Sequence, residues 1–176
     1  RADVLAVDLD TLASPGPIML VGNLPYNISS PILFHALESA ESIIDMHFML
    51  QKEVVERMAA GPGSKVYGRL SVMLQAKARV EPLFEVGPEA FRPPPKVDSA
   101  VVRITPRPAG EVGIKDPALF SRVVRAAFGQ RRKTLRNALQ EVCTPGQMSA
   151  VGINPTDRAE RIAVNQYVAL ANLLSE

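Results

Sequence analysis

Four consecutive residues, Asn23-Leu24-Pro25-Tyr26, combine groups that could act on a planar amine. An exocyclic amine conjugated to a ring is a poor nucleophile because its lone pair is delocalised, and positive charge develops on the nitrogen as it is alkylated. Acceptors aimed at its two N–H bonds favour a more tetrahedral nitrogen and stabilise that charge. The Asn23 side-chain oxygen and a backbone carbonyl at Leu24 or Pro25 are suitable acceptors. Pro25 fixes the local backbone and donates no hydrogen bond. Tyr26 offers a ring on which a base drawn out of its stack can lie. The same tetrapeptide also suits a plain turn, with Asn23 bonded to its own backbone and Tyr26 packed in a core.

Charge marks a second region. Net charge is only +2, but residues 1–114 sum to −2 and residues 115–176 to +4. Between Arg122 and Arg136 six basic residues meet no acidic one. Such a block suits a phosphate-rich partner; a solvated basic helix face is the plainer alternative.

The elements that must position these residues can be read from apolar spacing. Ala2 to Leu12 reads as a strand alternating around Asp3, Asp8 and Asp10, and Ser14-Pro15-Gly16-Pro17 ends it. Ile18 to Val21 is a short apolar run of the buried-strand kind, so Asn23 to Tyr26 falls at a strand's carboxyl end, where open α/β sheets bind ligands. Ser30 followed by Pro31 predicts a helix start. A strand over Ile43 to Leu50 and a helix over about Gln51 to Ala60 follow, stopped by Gly61-Pro62-Gly63. Strand, loop, helix, strand, helix predicts an α/β sheet with right-handed crossovers. Leu70 to Ala78 reads as a further helix, Leu83 to Val86 and Ser99 to Thr105 as strands, with the stiff Phe91-Arg92-Pro93-Pro94-Pro95 stretch between them. Beyond Gly113 the periodicity is helical throughout, from Leu119, Phe120, Val123 and Val124 to Leu174.

Composition narrows the class. Apolar residues at 47% and charged residues at 22% are globular values. No apolar run approaches the length of a membrane span, and no signal peptide opens the chain, so no membrane role is expected. The single Cys143 offers neither an intramolecular disulfide nor a metal cluster, which suits a reducing, cytoplasmic setting.

Four blocks carry a resemblance over nearly the whole chain: VGNLPYNISSPILFHAL (Val21 to Leu37), DMHFMLQKEVVERMAAGPGSKVYGRLSVMLQ (Asp45 to Gln75), FRPPPKVDSAVVRI (Phe91 to Ile104) and FGQRRKTLRNAL (Phe128 to Leu139). In these the sequence resembles the ribosomal RNA small-subunit adenine dimethyltransferases, the KsgA/RsmA family. The resemblance implies the C-terminal part of a Rossmann-like S-adenosylmethionine-dependent methyltransferase sheet over residues 1–107, then a small all-α RNA-binding domain over 108–176. It implies that Asn23, Leu24, Pro25 and Tyr26 form the catalytic loop, with Asn23 also touching the methyl donor. Asp3 matches an acidic residue that accepts from the adenine amine of S-adenosylmethionine, although a solvent-facing loop carboxylate is an ordinary fate for it. Phe91 matches an aromatic that closes over the target base opposite Tyr26, or else anchors its stiff loop in the core. Arg131, Arg132, Lys133 and Arg136 match a basic helix that grips RNA phosphates, unless internal ion pairs consume them. No metal is implied.

The activity so implied is transfer of methyl groups to the N6 amines of two adjacent adenines in the 3′-terminal hairpin of 16S rRNA, on an immature 30S particle. The family's Gly-rich donor-binding loop, and the acidic residue on the strand after it, have no counterpart here. The chain as it stands is therefore expected to be an inactive later part of a longer enzyme, and a catalytically incomplete RNA-binding or ribosome-assembly module is the alternative reading. A DNA adenine methyltransferase fits less well, because Leu24 stands where those enzymes carry proline and the C-terminal basic helices do not match them.

Overall fold

A computed structural model describes residues 2–25, 27–130 and 132–176. In chain order the elements are α1 (Leu9–Leu12), β1 (Ile18–Asn23), α2 (Ser29–Glu38), β2 (Ile43–Gln51), α3 (Lys52–Ala59), α4 (Arg69–Gln75), β3 (Ala78–Val86), β4 (Ser99–Pro106), α5 (Ala109–Val112), α6 (Pro117–Gly129), α7 (Leu135–Ala138), α8 (Pro145–Ala150) and α9 (Val164–Leu173). They divide into two compact units, Arg1–Ala59 with Lys77–Glu111, and Ala60–Ala76 with Val112–Glu176.

The first unit is built on one sheet in the order β1-β2-β4-β3. β1 and β2 are parallel with α2 as their crossover, whereas β4 runs antiparallel to β2 and β3 antiparallel to β4. Strand alternation makes one face apolar. The paired residues Met46 and Ile104, Phe48 and Val102, Leu50 and Ala100 are all buried there. Helix α3 packs on β3 and β4, burying Val55 and Met58. On the opposite face of β1, Met19 and Val21 are 57% and 77% exposed. There Asp45 is buried against the Arg103 guanidinium, with Nε and Nη2 both 3.1 Å from its Oδ2, and His47 Nδ1 lies 3.5 Å from its Oδ1.

Where the opening residues were expected to extend as a strand, they form two capped turns. Asp3 accepts from Leu5 N–H at 3.0 Å and caps a 3-10 turn over Val4–Ala6, while Asp8 accepts from Asp10 and Thr11 N–H and starts α1. Short acidic side chains compete for their own backbone donors and so favour such caps over a ladder. The Thr11 hydroxyl also donates to Asp8, holding that carboxyl below its ordinary pKa. α2 begins at Ser29, two residues ahead of the Pro31 start expected from a Ser30 cap, and no side chain caps it. β3 begins at Ala78, where a helix was expected to end.

The second unit is helical. Its core holds Phe120, Val123, Val124 and Ala127 of α6, Leu135 and Leu139 around α7, and Tyr167, Leu170 and Ala171 of α9. Asp116 caps α6 by accepting from Leu119 N–H at 3.0 Å, with Pro117 at the first helical position. Residues 60–76, which the linear reading assigned to the first domain, pack into this helical unit. Tyr67, Val72 and Ala76 belong to its core, and Gly63 N–H donates to the Glu160 carbonyl at 2.7 Å. Tyr67 packs edge-on against Phe128 and donates to the Ile162 carbonyl at 2.8 Å, and Tyr167 donates to the Ala159 carbonyl at 2.8 Å. Burial drives both phenols far above their ordinary pKa, which keeps them protonated donors. The apolar periodicity of α4 is readable in sequence, but its place in the helical core goes with that of Tyr67, whose hydroxyl bonds the backbone of the distant 159–162 turn.

No helix among the described residues is long and apolar enough to cross a membrane.

Candidate active site

Asn23 is the last residue of β1, exposed at its carboxyl end. Leu24 is buried, and its N–H donates to the Met49 carbonyl at 3.1 Å, tying the loop to β2 just past the end of the parallel ladder. The Pro25 carbonyl accepts from Ile28 N–H at 3.3 Å, closing a turn that leads into α2. Among the described residues the Asn23 side chain makes no hydrogen bond, so it is not spent on its own backbone. The Leu24 carbonyl is likewise unpaired among them. Of the two carbonyls that could serve as acceptor, Leu24 is the one left open, because Pro25's is engaged in the turn.

Facing this loop is the proline-rich segment between β3 and β4. Asn23, Leu24 and Pro25 share an open cleft of about 370 Å³ with Phe91, Pro93 and Pro95. That size lies within the range of small-ligand clefts. A short 3-10 turn, Pro88–Ala90, delivers Phe91, whose N–H donates to the Pro88 carbonyl at 3.1 Å. Phe91 is half-buried, so it is neither a sealed core anchor nor a free flap. Pro93 and Pro95 are cleft residues that sequence reasoning did not single out. They were legible only as stiffness, and their place on the wall depends on β3 and β4 forming one antiparallel pair. Tyr26 and Arg131 lie outside the described residues.

Asp3 is exposed, with one carboxylate oxygen engaged by Leu5 N–H. In the helical unit Arg132, Lys133 and Arg136 are all exposed. The turn that carries them is held by backbone bonds, with Lys133 N–H to Gln130 and Arg136 N–H to Pro155 at 2.9 Å each. Among the described residues none of the three forms an ion pair, which disfavours an internal salt-bridge network. Arg122 and Arg125 extend the exposed positive charge along α6. No group of three or more His, Cys, Asp or Glu residues that could hold a metal ion occurs among the described residues.

The sheet with its carboxyl-end loop, and the separate helical unit, define a Rossmann-like methyltransferase fold. Two solved structures share it. A dimethyladenosine transferase from Plasmodium falciparum superposes with a TM-score of 0.77 at 22% identity, over 97% of this chain and 69% of that one. The 23S rRNA methyltransferase ErmE superposes with a TM-score of 0.69 at 24% identity, over 99% of this chain and 70% of that one. The sequence matches the family model for ribosomal RNA adenine dimethylase over residues 1–176, and the chain belongs to that family. Among curated relatives, the ribosomal RNA small subunit methyltransferase A of Xanthomonas campestris pv. campestris (strain B100) is 67% identical over 171 residues, which is 97% of this chain. Its namesake in Xanthomonas oryzae pv. oryzae (strain PXO99A) is 66% identical over the same length. The chain spans 65% of the length of each of these relatives.

Proposed function

We propose that this chain carries the target-base side and the RNA-binding unit of an S-adenosylmethionine-dependent rRNA adenine-N6,N6-dimethyltransferase. Its substrate on this reading is two adjacent adenines in the 3′-terminal hairpin of 16S rRNA, presented on an immature 30S particle in the cytoplasm. The observation that carries it is the convergence of Asn23, Leu24 and Pro25 with Phe91 on one open cleft. Membership of the adenine dimethylase family and the relatives named small subunit methyltransferase A support the choice of substrate.

The residues fit a donor of this kind. Asp3 presents an exposed carboxylate that can accept from an amine, and the exposed Asn23 side chain at the end of β1 makes no hydrogen bond among the described residues. When bound, S-adenosylmethionine supplies an activated methyl group. The Asn23 oxygen and the Leu24 carbonyl accept from the two N–H bonds of the target adenine, drawing its nitrogen toward a tetrahedral geometry and stabilising the positive charge that develops on it. The buried Leu24 side chain and the bond from its N–H to Met49 hold that carbonyl in place, so little reorganisation is needed at the moment of reaction. Phe91 stacks on the extruded base, and Pro93 and Pro95 exclude water beside it. No strong base is required, because the nitrogen becomes acidic once methylated and its proton can leave to solvent.

The test is mass spectrometry of small-subunit rRNA after incubation with the enzyme at the relatives' full length, reading dimethyladenosine in the 3′-terminal hairpin. Phe91→Ala is expected to raise KM by about tenfold, since base–aromatic stacking contributes roughly 1–3 kcal/mol. An unmodified hairpin in every state of particle assembly would defeat the reading.

For the basic turn, replacing Arg132, Lys133 and Arg136 together by glutamine lowers affinity for ribosomal particles and flattens its salt dependence. Each lost duplex-phosphate contact removes about 0.9 from the slope of log K against log salt. A titration series in potassium chloride measures this, and an unchanged slope assigns the cluster a structural role.

A further inference from the structure

A second surface of the first unit has the opposite character to the RNA-binding turn. Two adjoining clefts meet at the start of α3, sharing Lys52 and Glu56. One, of about 200 Å³, lies between α3 and β3, with Leu83 and Phe84 on its wall. The other, of about 350 Å³, runs along the first turn of α3 to Val97 and Asp98. Three large apolar side chains stand out on this surface, Phe84 at 59%, Leu83 at 46% and Val97 at 44% exposure. Around them are the carboxylates of Glu53, Glu56, Glu85 and Asp98; Lys52 lies 2.9 Å from Glu85 and Arg57 pairs with Glu53, so among the described residues Glu56 and Asp98 are the carboxylates of this surface without an ion pair.

Apolar side chains this exposed and this close together mark contact surfaces more often than bare solvent interfaces. Their acidic surround decides what kind of partner fits. A nucleic-acid phosphate backbone is repelled here, whereas a cationic partner gains both attraction and a desolvated anchor. β3 is an edge of the sheet, which raises the option of strand addition. Pro82, however, lacks an N–H, and the register with β4 shifts between Pro82 and Phe84. Both features blunt an edge against strand pairing. Recognition therefore rests on side chains entering the clefts.

We propose that the surface formed by Leu83, Phe84 and Val97 within the carboxylates of α3, β3 and Asp98 docks a basic protein segment that carries apolar side chains. This surface adds a protein contact to the RNA contacts proposed for the chain. Phe84 and Leu83 receive the apolar anchors, and Glu56, Glu85 and Asp98 pair with the flanking lysines or arginines.

The experiment uses the 176-residue chain and a fluorescein-labelled synthetic peptide in which Arg and Lys alternate with Leu and Phe, read by fluorescence anisotropy. Saturable binding is expected, weakened about fivefold or more by Phe84→Ser, the loss that marks a contributing contact. Glu56→Lys combined with Asp98→Lys is expected to weaken it comparably and to flatten its salt dependence. Far-UV circular dichroism checks that each variant keeps its secondary structure; the three positions are exposed, so folding is expected to survive. A peptide with serine in place of Leu and Phe should bind at least about fivefold more weakly than the parent. Equal affinity for the two peptides, or no change in either variant, overturns the proposal. Displacement of the peptide by single-stranded RNA in a manner lost on Phe84→Ser would reassign the surface to nucleic acid. Concentration-dependent dimerisation abolished by Phe84→Ser would reassign it to a second copy of the chain.

Discussion

With Asn23 replaced by alanine, methyl transfer to small-subunit rRNA falls about 10²–10³-fold, the scale of losing one preorganised hydrogen-bonding group at a developing charge. The loss is expected mainly in kcat, with KM for the rRNA nearly unchanged, because the acceptor matters most once positive charge has begun to form on the adenine nitrogen. Affinity for the ribosomal particle is expected to stay within about twofold, since phosphate contacts supply most of the affinity in protein–nucleic acid binding generally. The substitution is also structurally mild: Asn23 is exposed, and its backbone place at the end of β1 is kept by the ladder to Met49. Asn23→Asp keeps an acceptor oxygen and retains more activity than the alanine variant. Single-turnover kinetics with a protein of the relatives' full length measure all three quantities, and unchanged turnover in Asn23→Ala would falsify the proposed role.

The second large effect is on stability. Phe120→Ala removes a side chain that is 1% exposed from the middle of the helical core, at an expected cost of about 3–5 kcal/mol from lost transfer energy and the cavity left behind. That is a large share of the roughly 5–15 kcal/mol by which domains of this kind are stable. The chain has no tryptophan and three tyrosines, of which Tyr67 and Tyr167 are buried in the helical unit. Near-ultraviolet tyrosine dichroism in a urea titration therefore reports mainly on that unit, and its midpoint should fall sharply. Because the basic turn at Arg132 to Arg136 is scaffolded by the same core through Leu135, RNA affinity should fall along with it, even though Phe120 touches no phosphate. An unfolding free energy within about 1 kcal/mol of the parent would show that the core relaxes around the gap.

Much of this architecture is legible in the amino acids. β1, β2 and β4 are apolar runs or clean alternations, and the family blocks point to the loop at Asn23 directly. What escaped has physical reasons. The opening strand dissolved because Asp3 and Asp8 capture their own backbone donors, a competition that hydrophobic spacing does not register. The first half of β3 escaped because Arg79, Glu81 and Pro82 dilute its apolar signal, leaving Ala78 and Val80 alone to mark the inward face. The antiparallel placement of β4 between β2 and β3 cannot be read locally, and with it went the recognition that Pro93 and Pro95 wall the cleft. The choice between the Leu24 and Pro25 carbonyls needed the Ile28 turn, which only the fold displays.

The looping of residues 60–76 into the helical unit also constrains how such a protein can be rebuilt by recombination. A gene break after residue 111 would transplant Val112–Glu176 without Tyr67, Val72 and Ala76, baring the core that they cover and leaving the Ile162 carbonyl without its phenol donor. The helical unit is thus not a cassette that one splice can exchange. It can be inherited intact only together with a segment embedded between β2 and β3, so a single crossover that moves the basic turn must also carry β3, β4 and the Phe91 side of the cleft.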